Sequence, residues 1–574
     1  MRLIPELLEL HAGERPGRAL FTYLKFDGTV PERWTYGELF TRAQAVAGRL
    51  TALELRGKPV LLVYPAGPDF APAFFGALLA GAIATPVPVP RFESQYQRLE
   101  SVAADCEPGA MLSSAATLAW LDGRIAAESR LRTCQWIDTS GEMPGETVAP
   151  VPPYGDDIAV LQYTSGSTSE ARGVAVSHGN LAHNVATITR EFQPSAGARL
   201  LSWLPHFHDM GLIGGVLSPL TWGGEAMLMS PQAFLQRPLR WLEAISEYGV
   251  EVSGAPNFAY EMCVKWARRG TLPALNLSGW RIAFVGAEPV RASTLAAFRE
   301  TFAPYGLPDT ALLPCYGMAE ATLLVTCKPA HTPPVIHTLS REALERGRAV
   351  VSDAADAVRL TGCGYAVTET ELRVVRPGSD EYLGPNEIGE LWIRGPQVAQ
   401  GYWKDAGAFQ ARLANSARTY LRSGDLGFLT DDGEFVFVER LKDLIVLNGQ
   451  NYFCHDLELA ATESHESLTA DGCAVALLET GAEPHLAVVV EFPMDQTHRA
   501  EEAAAAVRGA LFRVHGLAPK TIAFVPPGKL SRTTSGKLQR RLTVKRLASG
   551  QARLLAWSGE PLPEFLYLNG ELHV

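Results

Sequence analysis

The stretch Leu161-Gln162-Tyr163-Thr164-Ser165-Gly166-Ser167-Thr168-Ser169-Glu170-Ala171-Arg172-Gly173 closes a short apolar run and leads into Val174-Ala175-Val176-Ser177-His178. A β-rich run that ends in glycine and hydroxyl residues is a strand delivering its carboxyl end to a ligand loop. Glycine lets backbone N–H groups approach an anion without a side chain in the way, Ser and Thr add donors, and Arg172 offsets charge. Phosphate, and hence nucleotide chemistry, is the first expectation. The loop lacks both the G-x-x-x-x-G-K-S/T of the ordinary P-loop and the G-x-S-x-G of a hydrolase elbow. A Ser/Gly-rich surface turn without a ligand would read alike.

Working outward, Val60–Tyr64, Ala159–Tyr163 and Arg281–Val285 are further β-rich runs ending at glycine or turn chemistry, while Asn180–Glu191, Pro238–Tyr248 and Ala292–Phe302 have helical length and spacing. Strand and helix in alternation predict an α/β fold with largely parallel sheets and ligands beyond the carboxyl ends of strands. From Val367 to Leu429 the pattern turns strand-rich, which predicts a distorted barrel-like subdomain, and after Arg440 a smaller α+β domain begins. Ala71–Pro90 is the most apolar region, but Pro72, Gly76, Gly81, Pro86 and Pro88 interrupt it; it reads as buried helix, turn and strand, too short to span a bilayer. No internal repeat is visible.

A chain of 574 residues, 47% hydrophobic, buries a sizeable core and exceeds one ordinary domain. Its formal net charge of -11 argues against a nucleic-acid partner. Eight cysteines without a C-x-x-C pair fit reduced thiols, and the acidic residues in Met1–Glu9 are unlike a secretory peptide, so a cytoplasmic location is expected. The acidic chain nevertheless ends in a basic block: between Ala503 and Gly559 there is no Asp or Glu, while Arg508, Arg513, Lys520, Arg532, Lys537, Arg540 and other cations fall inside. An acidic carrier protein, ATP phosphates or anionic lipid would complement it; a merely solvated face is the bland alternative.

Six further segments follow in order: Ser202-Trp203-Leu204-Pro205-His206-Phe207-His208-Asp209-Met210-Gly211-Leu212, Gly286-Ala287-Glu288-Pro289, Tyr316-Gly317-Met318-Ala319-Glu320, Ser423-Gly424-Asp425-Leu426-Gly427, Glu439-Arg440-Leu441-Lys442-Asp443 and Ser535-Gly536-Lys537. With the glycine loop, this series resembles the adenylate-forming superfamily, from about Tyr36 to Leu547. Ser253-Gly254-Ala255-Pro256-Asn257-Phe258, the Phe207–Gly215 segment and the long interval from Glu320 to Gly362 look like fatty acyl-AMP ligases in particular. The extra segment would include Ser340–Val350.

The resemblance implies two doubly wound α/β subdomains plus a distorted β-barrel within residues 1–440, and a small mobile α+β domain over 441–574. It implies ATP and Mg²⁺ as cofactors, a fatty acid as substrate, and a carrier protein or carrier domain acting in trans. Thr164, Ser165, Gly166, Ser167, Thr168 and Arg172 would hold phosphates, with Thr164 and Glu320 at the metal. Gly286, Ala287, Glu288, Pro289, Tyr316, Gly317 and Met318 would border the adenine, and Asp425 with Arg440 the ribose, where a carboxylate accepts from both hydroxyls. Lys537 would bridge both reactants, His208 would stand at the gate of the carboxylate pocket, Lys442 would be the hinge, and Phe207, Ile213, Gly254, Phe258 and Met318 would line the acyl pocket.

The chemistry asks for such groups, because a carboxylate attacking the α-phosphorus brings two anions together and builds charge on the leaving pyrophosphate. Singly, each residue has a plainer reading: Tyr316 as core, Asp425 as a turn cap, Arg440 paired with Glu439. A metal at His206 and His208 lacks further ligands at suitable spacing. Ala171-Arg172 stands where relatives place Pro-Lys, exchanging a compact ammonium for a planar fork, and His206 replaces an apolar residue. An acyl-CoA ligase or aryl-acid adenylating enzyme on the same fold, and a non-catalytic acyl-nucleotide sensor, are the alternative readings.

Overall fold

The computed structural model describes residues 1–141, 153–163, 171–270, 272–413, 417–447, 450–469, 471–478, 485–532, 538–559, 567–568 and 571–572. Two large sheets dominate. In the nine-stranded sheet, Ala19–Tyr23, Glu225–Leu228, Arg199–Ser202, Val252–Ala255, Ile282–Val285 and Leu312–Gly317 run parallel, and antiparallel strands close both edges. In the eight-stranded sheet, Ile158–Tyr163, Ile83–Val87, Pro59–Val63, Ala110–Ser113 and Gln135–Asp138 are parallel, while Gly173–Ser177 returns antiparallel to Ile158–Tyr163.

The helices Tyr36–Ala52, Phe70–Leu79 and His178–Phe192 carry one apolar core from sheet to sheet, with Leu20, Leu200 and Ile282 on one side and Val60, Ala84 and Val160 on the other. Capping fixes where two of them start: Thr35 accepts from the Glu38 amide, and Ser177 from that of Asn180. Phe70–Leu79 is buried throughout and lies so close to Tyr36–Ala52 that a Cβ on Gly76 would stand 2.5 Å from Val46. As expected for Ala71–Pro90, a turn at Gly81 then leads into the strand Ile83–Val87.

The strand-rich segment forms a five-stranded antiparallel sheet built on Glu371–Val375, Gly389–Arg394, Gln410–Arg412, Thr419–Leu429 and Phe435–Arg440. Beside it, Ile336–Leu339 and Val358–Thr361 pair as a separate two-stranded sheet enclosing the helix Arg341–Glu345. The smaller C-terminal domain has a four-stranded sheet of Cys473–Leu478, His485–Glu491, Thr521–Val525 and Ala556–Gly559. Alternation along these strands makes two faces. Val475, Val488 and Ile522 pack on the helices Cys454–Thr462 and Ala500–His515, whereas Ala474, Val489 and Ala523 pack on Arg540–Ala548 through Val544. No helix among the described residues is long and apolar enough to cross a membrane.

Arg540 opens its helix at the end where the dipole disfavours a cation. It is held instead by Glu458 at 2.6 and 2.8 Å and by Asp443 at 2.9 Å. Arg540→Met strands two nearly buried carboxylates; we expect the C-terminal domain to lose about 3 kcal/mol in denaturant titration, and an unchanged midpoint would show that the triad contributes nothing net.

Candidate active site

Turns at the carboxyl ends of parallel strands and a hairpin of the antiparallel sheet build the site. The first turn follows Leu312–Gly317. A Cβ on Gly317 would fall 1.8 Å from the Leu323 carbonyl, so only glycine permits this reversal. Thr322, at φ +64, completes the turn and donates to the Gln397 carbonyl at 2.6 Å, a strained backbone of the kind that gathers at functional sites. Between them the short helix Ala319–Ala321 presents Glu320. Burial raises its carboxyl pKa above the usual range, and the neighbouring charges of Asp209 and Asp425 raise it further.

The Tyr402 hydroxyl donates to Glu320 at 3.3 Å, and Tyr402 pairs with Val174 on the strand that follows the glycine loop. The Arg172 guanidinium lies 5.8 Å from the Tyr402 ring centre. Tyr402 thus joins the base of the loop to Glu320, a link the sequence did not signal. Thr164, Ser165, Gly166, Ser167 and Thr168 lie outside the described residues, as does Lys537.

Asp425 and Arg440 are direct partners across the hairpin of Thr419–Leu429 and Phe435–Arg440. The Asp425 carboxylate accepts from the Tyr316 hydroxyl at 2.7 Å and faces Arg440 Nε at 3.5 Å. Glu439 takes the Arg440 backbone N–H at 3.0 Å, so the guanidinium is left to Asp425. Tyr316 is both core and site: its ring packs edge-on against Phe435 at 5.0 Å while its hydroxyl reaches the carboxylate. Met318 sits beside that hydroxyl, with Sδ 3.8 Å away.

The Gly286–Pro289 turn leaves Ile282–Val285 with Gly286 closed against Cys315 and with Ala287 at φ +67. Glu288 accepts from the Phe258 amide at 2.6 Å at the start of the helix Asn257–Ala267. Ala287, Glu288, Pro289 and Arg440 line a cavity of about 110 Å³ whose far wall is the C-terminal domain, with His455, Glu458, Arg532 and Leu538.

The expected acyl-pocket residues are brought to this end of the sheets from different packing groups. Gly254 leaves room for the Phe284 ring and Phe258 meets Trp203 edge-on at 6.1 Å. The Phe207 carbonyl is held by Gln162 Nε2 at 2.7 Å, and Ile213 is buried in Met210–Leu217, which winds as a π-helix. Such widened turns recur at functional sites; nothing in the apolar spacing announced this one. His208, whose ring meets Phe207 at 4.9 Å, opens that segment. His206 is packed on Phe70 at 4.0 Å, and burial drives its pKa down to about 3, so it is a neutral wall residue. Among the described residues no group of three or more His, Cys, Asp or Glu that could hold a metal ion forms. Lys442 lies in the short turn Leu441–Asp443 between Phe435–Arg440 and Leu444–Leu447, with its carbonyl accepting from Arg541 at 3.2 Å.

Residues 8–403 match the profile of the AMP-binding enzymes, and residues 442–556 match a profile described as Disco-interacting protein 2-like, AMP domain. The chain belongs to the AMP-binding, or adenylate-forming, enzyme family. It is 35% identical over 553 residues to a medium-chain-fatty-acid acyl-carrier-protein ligase of Moorena producens, covering 93% of each chain. It is 33% identical to a long-chain-fatty-acid–AMP ligase of Mycobacterium marinum, covering 96% of this chain and 97% of the other. A fatty acyl-adenylate ligase from L. pneumophila, solved with acyl adenylate and pyrophosphate, superposes with a TM-score of 0.74 at 32% identity over 97% of this chain and 98% of that one. Within the family, its branch is that of the fatty acyl-AMP ligases.

Burial pushes the carboxyls of Glu288 and Glu439 up from 4.5 to about 7. Between those values the folded protein keeps protons that the unfolded chain gives up, so each group's contribution to stability falls as pH rises from 4.5 to 7. Glu288→Gln keeps an acceptor for the Phe258 amide and removes the titration. In melting curves across this window, the variant should gain on wild type steadily with pH; parallel curves would contradict the shift.

Proposed function

We propose that the protein activates a medium- or long-chain fatty acid with ATP and passes the acyl group to the phosphopantetheine thiol of a separate carrier protein in the cytoplasm. In the first step a carboxylate oxygen of the acid attacks the α-phosphorus, the bond to the bridging oxygen breaks, and pyrophosphate leaves. In the second the thiol sulfur attacks the acyl carbon, AMP leaves, and the thiol proton passes to solvent.

The observation that carries the reading is the convergence of Glu320, Asp425, Arg440 and the base of the glycine loop at Arg172 on one end of the sheets. Asp425 would accept from the ribose hydroxyls with Arg440 beside it, and Ala287–Pro289 would border the base. The loop from Thr164 to Thr168 would hold phosphates with its amides. Lys537 would bring its ammonium to both reactants. A divalent cation suits the oxygen donor at Glu320, where burial and two neighbouring carboxylates raise the cost of an unpaired charge; Mg²⁺, with Thr164 as a further donor, would neutralise charge on the phosphates. His208 and the Met210–Leu217 segment would gate the carboxylate, with Phe207, Ile213, Gly254, Phe258 and Met318 around the chain.

Residues 1–440 would act as the large domain and 441–574 as a mobile one turning about Lys442, so that Lys537 withdraws before the thiol enters. The similarity to a carrier-protein ligase supports the choice of acceptor.

Product analysis with ATP, Mg²⁺ and a panel of fatty acids, with and without coenzyme A or a pantetheinylated carrier, tests the reading. Acyl-AMP should accumulate without becoming acyl-CoA, and Lys537→Ala should slow its formation roughly 100- to 1,000-fold. Efficient acyl-CoA formation would replace the carrier by coenzyme A, and no adenylate from any acid would end the proposal.

A further inference from the structure

Asp471 stands just before the first strand of the C-terminal sheet, Cys473–Leu478, and makes two contacts that link separate parts of the molecule. Its carboxylate lies 2.5 Å from Arg291 of the large domain. Its carbonyl accepts from the guanidinium of Arg532, and Arg532 forms an antiparallel bridge with Leu538. Those two residues flank the segment that ends in Lys537.

On the large-domain side Arg291 is held in place. Its backbone N–H donates to Asn257 Oδ1 at 3.0 Å, Asn257 Nδ2 donates to Thr294 at 3.2 Å, and Glu261 adds a second carboxylate 3.6 Å from the guanidinium. Arg291 immediately follows the Gly286–Pro289 turn and its neighbour Val290. One acidic residue therefore connects the nucleotide turn of one domain to the base of the lysine segment of the other. The pair is half-buried, with side-chain exposures of 19% and 30%, which leaves the charges only partly screened by water.

We propose that Asp471 is a positioning residue for adenylation: through Arg291 and Arg532 it fixes the C-terminal domain against the Gly286–Pro289 turn in the orientation that adenylation uses. The proposal rests on the adenylating function inferred above. A domain that must turn between two steps needs a contact that is geometrically specific yet separable. An ion pair at the seam has that character, where an apolar seam of equal area would hold its partner without fixing one orientation. The pair acts on kcat, because it sets the fraction of bound complexes in which the segment is in place; the ribose and base contacts, and hence the KM for ATP, belong to residues on the large domain.

The test uses the full chain with ATP, Mg²⁺ and whichever saturated fatty acid gives most adenylate, in single-turnover formation of acyl-AMP. Asp471→Asn should lower the rate about tenfold with the KM for ATP within about twofold of wild type. Arg291→Asp and Asp471→Arg should each be at least as slow, and the double exchange should recover a third or more of the wild-type rate, a gain that damage to folding does not produce. A rate for Asp471→Asn equal to wild type, or a double exchange no faster than its parents, overturns the positioning role. If wild type itself forms no acyl-AMP, the functional reading fails instead.

Discussion

Asp425 is a carboxylate almost wholly withdrawn from water, and such a group has to be paired where it lies. Its partners come from separate parts of the molecule: the Tyr316 hydroxyl from the nine-stranded parallel sheet, and Arg440 from the adjoining strand of the antiparallel one. The pairing therefore fixes one sheet against the other at the point where both end. Along Phe435–Arg440 successive side chains alternate, so Glu439 points the other way and accepts the amide of His455 at 3.1 Å on the C-terminal domain. Two consecutive residues thus serve the pairing of Asp425 and the seam with the small domain.

The architecture was legible wherever an element's own residues decide it. Arg281–Val285 and Ala159–Tyr163 were readable as strands, and Ala292–Phe302 as a helix, because their burial is continuous or periodic within a few turns. Gly317 and the Gly286–Pro289 turn were legible as motifs because close backbone approach restricts the residue types that fit. Tyr402 was not, since its role comes from a strand register that brings residue 402 opposite residue 174. The π-helix at Met210–Leu217 was invisible for a related reason: an all-apolar run fills a buried helix of any pitch equally well. His206 was noticed as a departure, yet only its contact with Phe70 explains why an imidazole is tolerated there as an uncharged ring.

The basic C-terminal block illustrates a different limit. Read along the chain it is a stretch of cations without acids, and an external anionic partner is the natural inference. In the fold its partners arrive from earlier in the sequence: the carboxylates of Glu458 and Asp443 enclose Arg540, Glu501 and Arg508 meet at Ser558, and Arg532 donates to the backbone carbonyl of Asp471. Charge segregation in sequence is here partly a device for joining segments in space. What remains for an external partner is the exposed remainder, Arg513, Lys520 and Arg541 among it.

The seam between the domains follows from the same economy of charge. Its cavity is walled by Arg291, Arg532 and Arg540 on one count and by Glu288, Glu439 and Asp471 on the other. Desolvating such groups offsets much of their mutual attraction, so a seam of this kind specifies an orientation more than it adds net stability. Two of these acids are driven toward neutrality by burial, so part of their desolvation is left uncompensated. Separation would return it by hydration. A contact that is costly to make and inexpensive to release is what a catalyst needs if one lysine is to enter for the first step and leave room for a thiol in the second.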